Sequence, residues 1–207
     1  MSALIAVVWG LQGAVAPAAV DPEIAVLMEE VSEREIAGTI RDLAGFGTRH
    51  TASEGRSTPG RGITAARAYL LEKLGGYAAA SEGRLRVVED PFTARSRRID
   101  GVETANVLAI LRGTTTPERV FIVSGHYDSR ASRPGDWESD APGASDDASG
   151  TAVAVELARV MSRRSWESTI VFACYSAEEQ GLLGSTHHAA RLAEEGGSEP
   201  GAMITCD

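Results

Sequence analysis

The sequence predicts an α/β fold, a mainly parallel (mixed) sheet flanked by helices in three layers. Three observations predict it. Apolar runs of strand length recur at 105–111, 120–124, 169–175 and 202–206. Segments of helical period, 148–161 and 182–192, fall between the later runs, the order that builds parallel strands joined by crossover helices. Polar loops rich in acids follow the runs, where the carboxyl ends of such strands place ligand-binding groups.

The elements can be justified in order. Residues 1–20 are apolar and uncharged. They read as a signal peptide or a disordered N-terminus. Ala14-Val15-Ala16 has the small-x-small form of a cleavage site, although no Lys or Arg precedes the apolar run. That reading implies a secreted or periplasmic protein, with 21–207 as the folded domain. The run is too short and too rich in Gly and Ala for stable membrane insertion, which needs about 20 apolar residues. A short helix is expected over 22–30. Ser32-Glu33-Arg34-Glu35 has the capping-box form and opens a second helix, with Ile36, Ile40 and Leu43 at helical spacing. A polar loop, 48–59, precedes a helix over 59–74, which Gly75-Gly76 is expected to stop. Leu85 and Val87 alternate with arginines, as on a half-exposed edge strand. The runs 105–111 and 120–124 are separated by Gly113-Thr114-Thr115-Thr116-Pro117, a hairpin-like connection.

Composition excludes some functions. The formal charge is -9, which argues against nucleic acid as a partner because phosphate binding needs basic patches. Cys174 and Cys206 read as small buried hydrophobes rather than a disulfide.

Three motifs carry chemistry: Gly125-His126-Tyr127-Asp128-Ser129, Pro142-Gly143-Ala144-Ser145-Asp146-Asp147-Ala148-Ser149-Gly150 and Ser176-Ala177-Glu178-Glu179-Gln180-Gly181. A further acid, Asp207, follows the run 202–206. One imidazole and several carboxylates at one sheet edge suit borderline-hard metal ions. Asp128, two residues from His126, points the same way in extended chain and can accept the second ring proton, or simply cap a turn. One carboxylate of Asp146-Asp147 can bridge two ions about 3.5–4 Å apart while its neighbour caps the helix. Of Glu178-Glu179, one can bind metal while the other moves protons; an isolated pair is a solvated helix start. His187 and His188 read as surface imidazoles, His50 as a structural or exposed loop residue, and Arg49 as a carboxylate binder or, more in keeping with its setting, half of a structural ion pair. Asp136 and Trp137 read as an ordinary loop or a pocket rim. Ser129 and Ser149 have no partnering His in sequence, which excludes a serine hydrolase.

Taken together, the three motifs and Asp207 strongly resemble the co-catalytic di-zinc aminopeptidases of metallopeptidase family 28, clan MH, over residues 105–207. The resemblance implies a zinc-exopeptidase-like fold and two Zn2+ per site. It implies His126 on the first ion, Asp146 bridging both, Glu179 on the second and Asp207 completing the first. Glu178 is then the general acid/base, and Asp128 orients His126. Peptides or small proteins are the implied substrates, and removal of N-terminal residues the implied reaction; no oligomeric state is implied. The family takes a further second-metal His from downstream, whereas Asp207 is the last residue here. The expectation is therefore a fold incomplete at the C-terminus, with more strands and the specificity pocket beyond it. Alternatives are a glutaminyl-cyclase-like transferase with one zinc, a non-catalytic binding module, or an inactive fragment.

Overall fold

The computed structural model describes residues 21–207, so the N-terminal reading of 1–20 lies outside the described residues. Helices α1 (Pro22–Glu30), α2 (Glu33–Gly45) and α3 (Gly62–Ala80) come first, then strands β1 (Leu85–Ala94), β2 (Val102–Leu111) and β3 (Thr116–His126). Helix α4 (Ser149–Met161), β4 (Ser168–Tyr175), α5 (Leu183–Glu195) and β5 (Glu199–Thr205) follow. The sheet order is β1-β2-β4-β3-β5. β3 pairs in parallel with β4 and β5, while β1–β2 and β2–β4 are antiparallel. The sheet is thus mixed, with its parallel part confined to the strands that carry the acid motifs.

Two expectations about connections fail. β2 and β3 are not a hairpin: β4 lies between them and pairs with both. Strand β4 is buried almost from end to end, and that central place gives it a neighbour on each side and a helix layer on each face. Gly75-Gly76 does not stop α3, which runs on to Ala80. Tyr77 packs on the core just beyond the glycines, and the alanines after it favour helix, so tertiary burial outweighs the glycine cost of about 1 kcal/mol each.

Side-chain alternation divides the core. Val107, Ala109, Leu111, Ile170, Phe172 and Cys174 face α2, α3 and α4, meeting Leu43, Ile63, Leu70, Leu74 and Val155. Leu108, Val120, Val171, Ala173 and Tyr175 face the other way. α5 covers that side, leaving beside β3 and β5 an apolar cavity of about 470 Å³ lined by Ile122, Leu192 and Met203. Ser32 caps α2 by accepting the Glu35 N–H at 3.3 Å. The other half of the capping box is not made: the Ser32 N–H donates to Glu156 of α4 at 2.7 Å, tying the first two helices to the third layer element they pack on.

Glycine permits the closest approach in the site region. A Cβ at Gly125 would lie 2.3 Å from the Thr151 nitrogen, and one at Gly150 would lie 2.2 Å from the Cys206 carbonyl oxygen. The ends of β3 and β5 and the start of α4 therefore meet backbone to backbone. Among the described residues no helix is long and apolar enough to cross a membrane.

Candidate metal centre

His126 is the last residue of β3, Glu178 and Glu179 follow β4, and Asp207 follows β5. Asp146 lies in a π-turn, Ala144–Ala148, that opens α4; the Asp146–Asp147 peptide is cis. All these residues stand at the carboxyl ends of the parallel strands, as the order of strands and loops requires.

Backbone pairing sets their spacing. His126 aligns with Tyr175 across β3–β4, and the Tyr127 N–H donates to the Tyr175 carbonyl at 2.8 Å, continuing the ladder. The Cys206 N–H donates to the Ser124 carbonyl at 2.9 Å and carries Asp207 to the same edge. Ligand atoms of His126, Asp146 and Asp207 all lie within 4.8 Å of one another. His126 Nε2 is 3.2 Å from Asp146 Oδ1 and 3.9 Å from both Glu178 Oε2 and Asp207 Oδ1.

The imidazole is buried and its two nitrogens differ. Nδ1 lies 3.2 Å from the carbonyl oxygen of Asp128. A carbonyl only accepts, so Nδ1 carries hydrogen and donates. Nε2 is buried with no hydrogen-bond partner among the described residues, because the Asp146 oxygen, although 3.2 Å away, is off-axis. A buried nitrogen without a partner costs about 1–3 kcal/mol unless something fills the gap. A divalent cation among the three carboxylates would do so, which makes this donor set fit a metal ion. Burial depresses the His126 pKa, but Asp128, Asp147 and Glu178 outweigh it and push it up to about 9.

Asp128 orients His126 through its backbone oxygen more closely than through its carboxylate, whose Oδ1 is 3.5 Å from Nδ1. The carboxylate has another task. It accepts the Glu178 N–H at 3.0 Å and the Glu179 N–H at 3.2 Å, fixing the turn after β4. The turn passes through Ala177, a non-glycine residue at φ 58°, a conformation that persists only where surroundings hold it. Asp147 is the capping member of its pair: Oδ1 accepts the Gly150 N–H at 2.7 Å and Oδ2 the His126 N–H at 2.8 Å. Burial raises its pKa to about 6.

Burial also raises the Glu178 carboxyl; Asp128, Glu179 and Asp207 add to this while His126 opposes it. Glu179 is raised by burial and by Asp146. Its side chain does not join the His126 group but pairs with Arg130, Nε to Oε2 at 2.5 Å.

Arg49 is the functional-site residue that sequence reasoning misplaces. Among the described residues it forms no ion pair; its fully buried guanidinium donates to the carbonyls of Tyr127 (2.6 Å), Leu43 (3.1 Å), Pro142 (2.5 Å) and Gly143 (3.0 Å). It thereby ties the segment after β3 to the segment before Asp146. His50 is buried too: Nδ1 accepts the Ala52 N–H, so Nε2 donates to the Pro134 carbonyl at 2.8 Å. The expected surface pair is neither. His188 is buried against the Tyr175 hydroxyl at 2.9 Å, and His187 faces Asp90 at 3.2 Å, because α5 turns both towards the sheet. Both cysteines are free; Cys174 is buried, and Cys206 is partly exposed beyond the end of β5.

Residues 106–207 match the family described as Peptidase family M28. Over 197 residues the chain is 44% identical to a probable zinc metalloprotease of Leptosphaeria maculans, an overlap of 94% of this chain and 45% of that protein. It thus spans less than half the length of that curated relative. The fold is similar to LapB from Legionella pneumophila (TM-score 0.70, 19% identity, 90% of this chain and 46% of that one). It is also similar to Fimbriiglobus ruber glutaminyl cyclase (TM-score 0.65, 20% identity, 84% and 61%). The matched segment contains His126, Asp128, Asp146, Glu178, Glu179 and Asp207, and the chain belongs to peptidase family M28.

Proposed function

We propose that the protein of which this chain is part hydrolyses peptides with the help of zinc, removing residues from the N-terminus. The observation that carries the reading is the unpartnered, buried Nε2 of His126 facing the Asp146, Glu178 and Asp207 carboxylates. The relative from Leptosphaeria maculans is named a zinc metalloprotease, which supports the choice of ion.

His126, Asp146 and Asp207 would hold the first ion. When bound, zinc supplies Lewis acidity towards water and a peptide carbonyl. The chain supplies the rest. Asp128, through its carbonyl, keeps the His126 proton on Nδ1 and leaves Nε2 as the donor atom. Glu178 takes a proton from the attacking water and returns it to the leaving amine. Its raised carboxyl suits that exchange, since a proton carrier works best with a pKa near the working pH. The backbone N–H bonds to Asp128 hold Glu178 in place for both steps.

Glu178→Gln should cut turnover by about 10²–10⁴-fold, the usual contribution of a general acid/base, with metal content intact. Normal turnover in that variant would remove Glu178 from the mechanism. His126→Ala should lower metal content, and an unchanged zinc stoichiometry would refute its assignment. A second reading, glutaminyl cyclisation on a single zinc, is favoured by the single group of three candidate ligands among the described residues. Cyclisation of a peptide with N-terminal Gln, without hydrolysis, would decide for it.

A further inference from the structure

We propose that Asn106 is a positioning residue for Glu178: its side-chain amide clasps the two ends of the turn that carries Glu178 and holds that carboxyl where proton transfer needs it. The inference rests on the reading of Glu178 as the general acid/base.

Asn106 lies on β2, fully buried, and its partner across the sheet on β1 is Asp90. The turn between β4 and α5 runs from Ser176 to Gly184. Its own backbone closes it, the Gly184 N–H donating to the Ser176 carbonyl at 3.1 Å. Asn106 repeats that closure from a different strand. Its Oδ1 accepts the Ser176 N–H at 3.1 Å, and its Nδ2 donates to the Gly184 carbonyl at 2.9 Å. Nδ2 also donates to Asp90 Oδ2 at 2.9 Å. The other oxygen of Asp90 faces Arg191 Nε at 2.9 Å and His187 Nε2 at 3.2 Å, both on α5. Both amide hydrogens and the amide oxygen of Asn106 are thus used, and turning the amide over would set donor against donor and acceptor against acceptor. Gly184 belongs to the same fit, because a Cβ there would run into Asn106 Oδ1 and the Ser176 carbonyl oxygen.

The turn needs such a clasp. It holds Ala177 and Leu182 at φ 58° and 59°, left-handed conformations that non-glycine residues keep only where the surroundings over-determine them. Asp128 holds the N–H groups of Glu178 and Glu179, and Asn106 holds the feet of the turn. None of the three Asn106 bonds reaches His126, Asp146 or Asp207. Its loss should therefore shift Glu178 without releasing the first ion, and a displacement of about 1 Å at a reacting group costs about 100-fold in rate.

The test compares Asn106→Ala, Asp90→Asn and Leu74→Ala with the parent. Hydrolysis of a panel of aminoacyl anilides is measured on the zinc-loaded protein of which this chain is part, well below every Tm, with bound zinc counted. Asp90→Asn is the milder break: an amide of the same shape must turn its N–H2 towards either Asn106 or Arg191, both donors. Leu74 is a fully buried core residue of α3, and Leu74→Ala shows what lost stability alone does. Expected in Asn106→Ala is a kcat about 100-fold lower, with KM within about twofold and zinc content unchanged. Asp90→Asn should fall between it and the parent, and Leu74→Ala should lower Tm but not kcat. In the metal-free 207-residue chain, the Glu178, Glu179, Leu182 and Leu183 amides should exchange faster in Asn106→Ala and Asp90→Asn than in the parent. Should Asn106→Ala not fold, Asp90→Asn carries both comparisons. A parent-like kcat per folded molecule, or a fall that Leu74→Ala reproduces, overturns the proposal while leaving the role of Glu178 standing. Full turnover in Glu178→Gln, or none in the folded, zinc-loaded parent, overturns the reading on which the proposal rests, and the proposal with it.

Discussion

Two pairs of aspartates sit within one site and live in opposite surroundings. Asp128 and Asp147 are wholly buried, and each accepts two backbone N–H bonds. The side chains of Asp146 and Asp207 are 68% and 59% exposed, and no hydrogen bond to either is formed among the described residues. Asp146 and Asp147 are even adjacent in sequence. The difference teaches a division of labour. A carboxylate whose lone pairs are taken by backbone builds the frame, and one whose lone pairs are free can bind.

Breaking the frame should have the largest effect on stability. Asp147→Ala leaves the N–H groups of His126 and Gly150 buried without acceptors, and should cost about 3 kcal/mol in denaturant unfolding. A loss below about 1 kcal/mol would show that water replaces the carboxylate and that the pair is not framework. Breaking the binding member should do the reverse. Asp146→Ala should leave metal-free stability within about 0.5 kcal/mol, as for an ordinary surface substitution. It should weaken zinc by at least the 10–100-fold (approximately) that loss of an outer-shell partner costs. Equal zinc affinity with reduced stability would invert the comparison.

Acidity sharpens the contrast. Burial raises Asp147 to about 6, above the unfolded value of about 3.9. The folded state then holds a proton that the unfolded state has lost between those values. The stability this contributes is complete below about pH 4 and lost as pH rises through about 6. Glu178 and Glu179 are raised as well and act with the same sign. Metal-free protein should therefore lose stability from pH 4 to 6, and Asp147→Asn should flatten part of that slope. A slope unchanged in Asp147→Asn would locate the titration elsewhere. The smallest effect lies outside the site. Leu182 is an exposed residue at φ 59° at the start of α5. Leu182→Gly removes the left-handed penalty and should stabilise by about 0.5–1 kcal/mol, read as a rise in Tm.

The sequence allowed the acids to be placed at one edge because strand-length runs and helical segments alternate through 105–207, and parallel strands bring such loops together whatever their sequence distance. It also allowed one acid of Asp146-Asp147 to be read as a cap, since a Gly/Ser loop opening a helix needs one, and the family resemblance, by implying Asp146 on the ions, left Asp147 for that place. It could not show the roles of Arg49 or Asp128 in full. Apart from Leu43, the acceptors of Arg49 lie on Tyr127, Pro142 and Gly143, 78, 93 and 94 residues away, and a carbonyl leaves no mark on residue type. The same holds for the β2–β3 connection, where a short polar loop looks alike whether it turns back or crosses over β4. The orientation of His187 and His188 depended on Asp90 and Tyr175, partners contributed by other strands.

β5 stands at the edge of the sheet, paired on one side only, with every residue exposed. Asp207 lies beyond its last residue paired with β3, Thr205. A cation shared by His126 and Asp207 would join β5 to β3 as a cross-strand staple, and by linkage every increment of binding energy would become docking energy for that strand. Amide exchange would report it directly: at a zinc concentration of about 100 times Kd, the β5 amides should open about 100-fold less often, while those of β4, already central, should hardly respond.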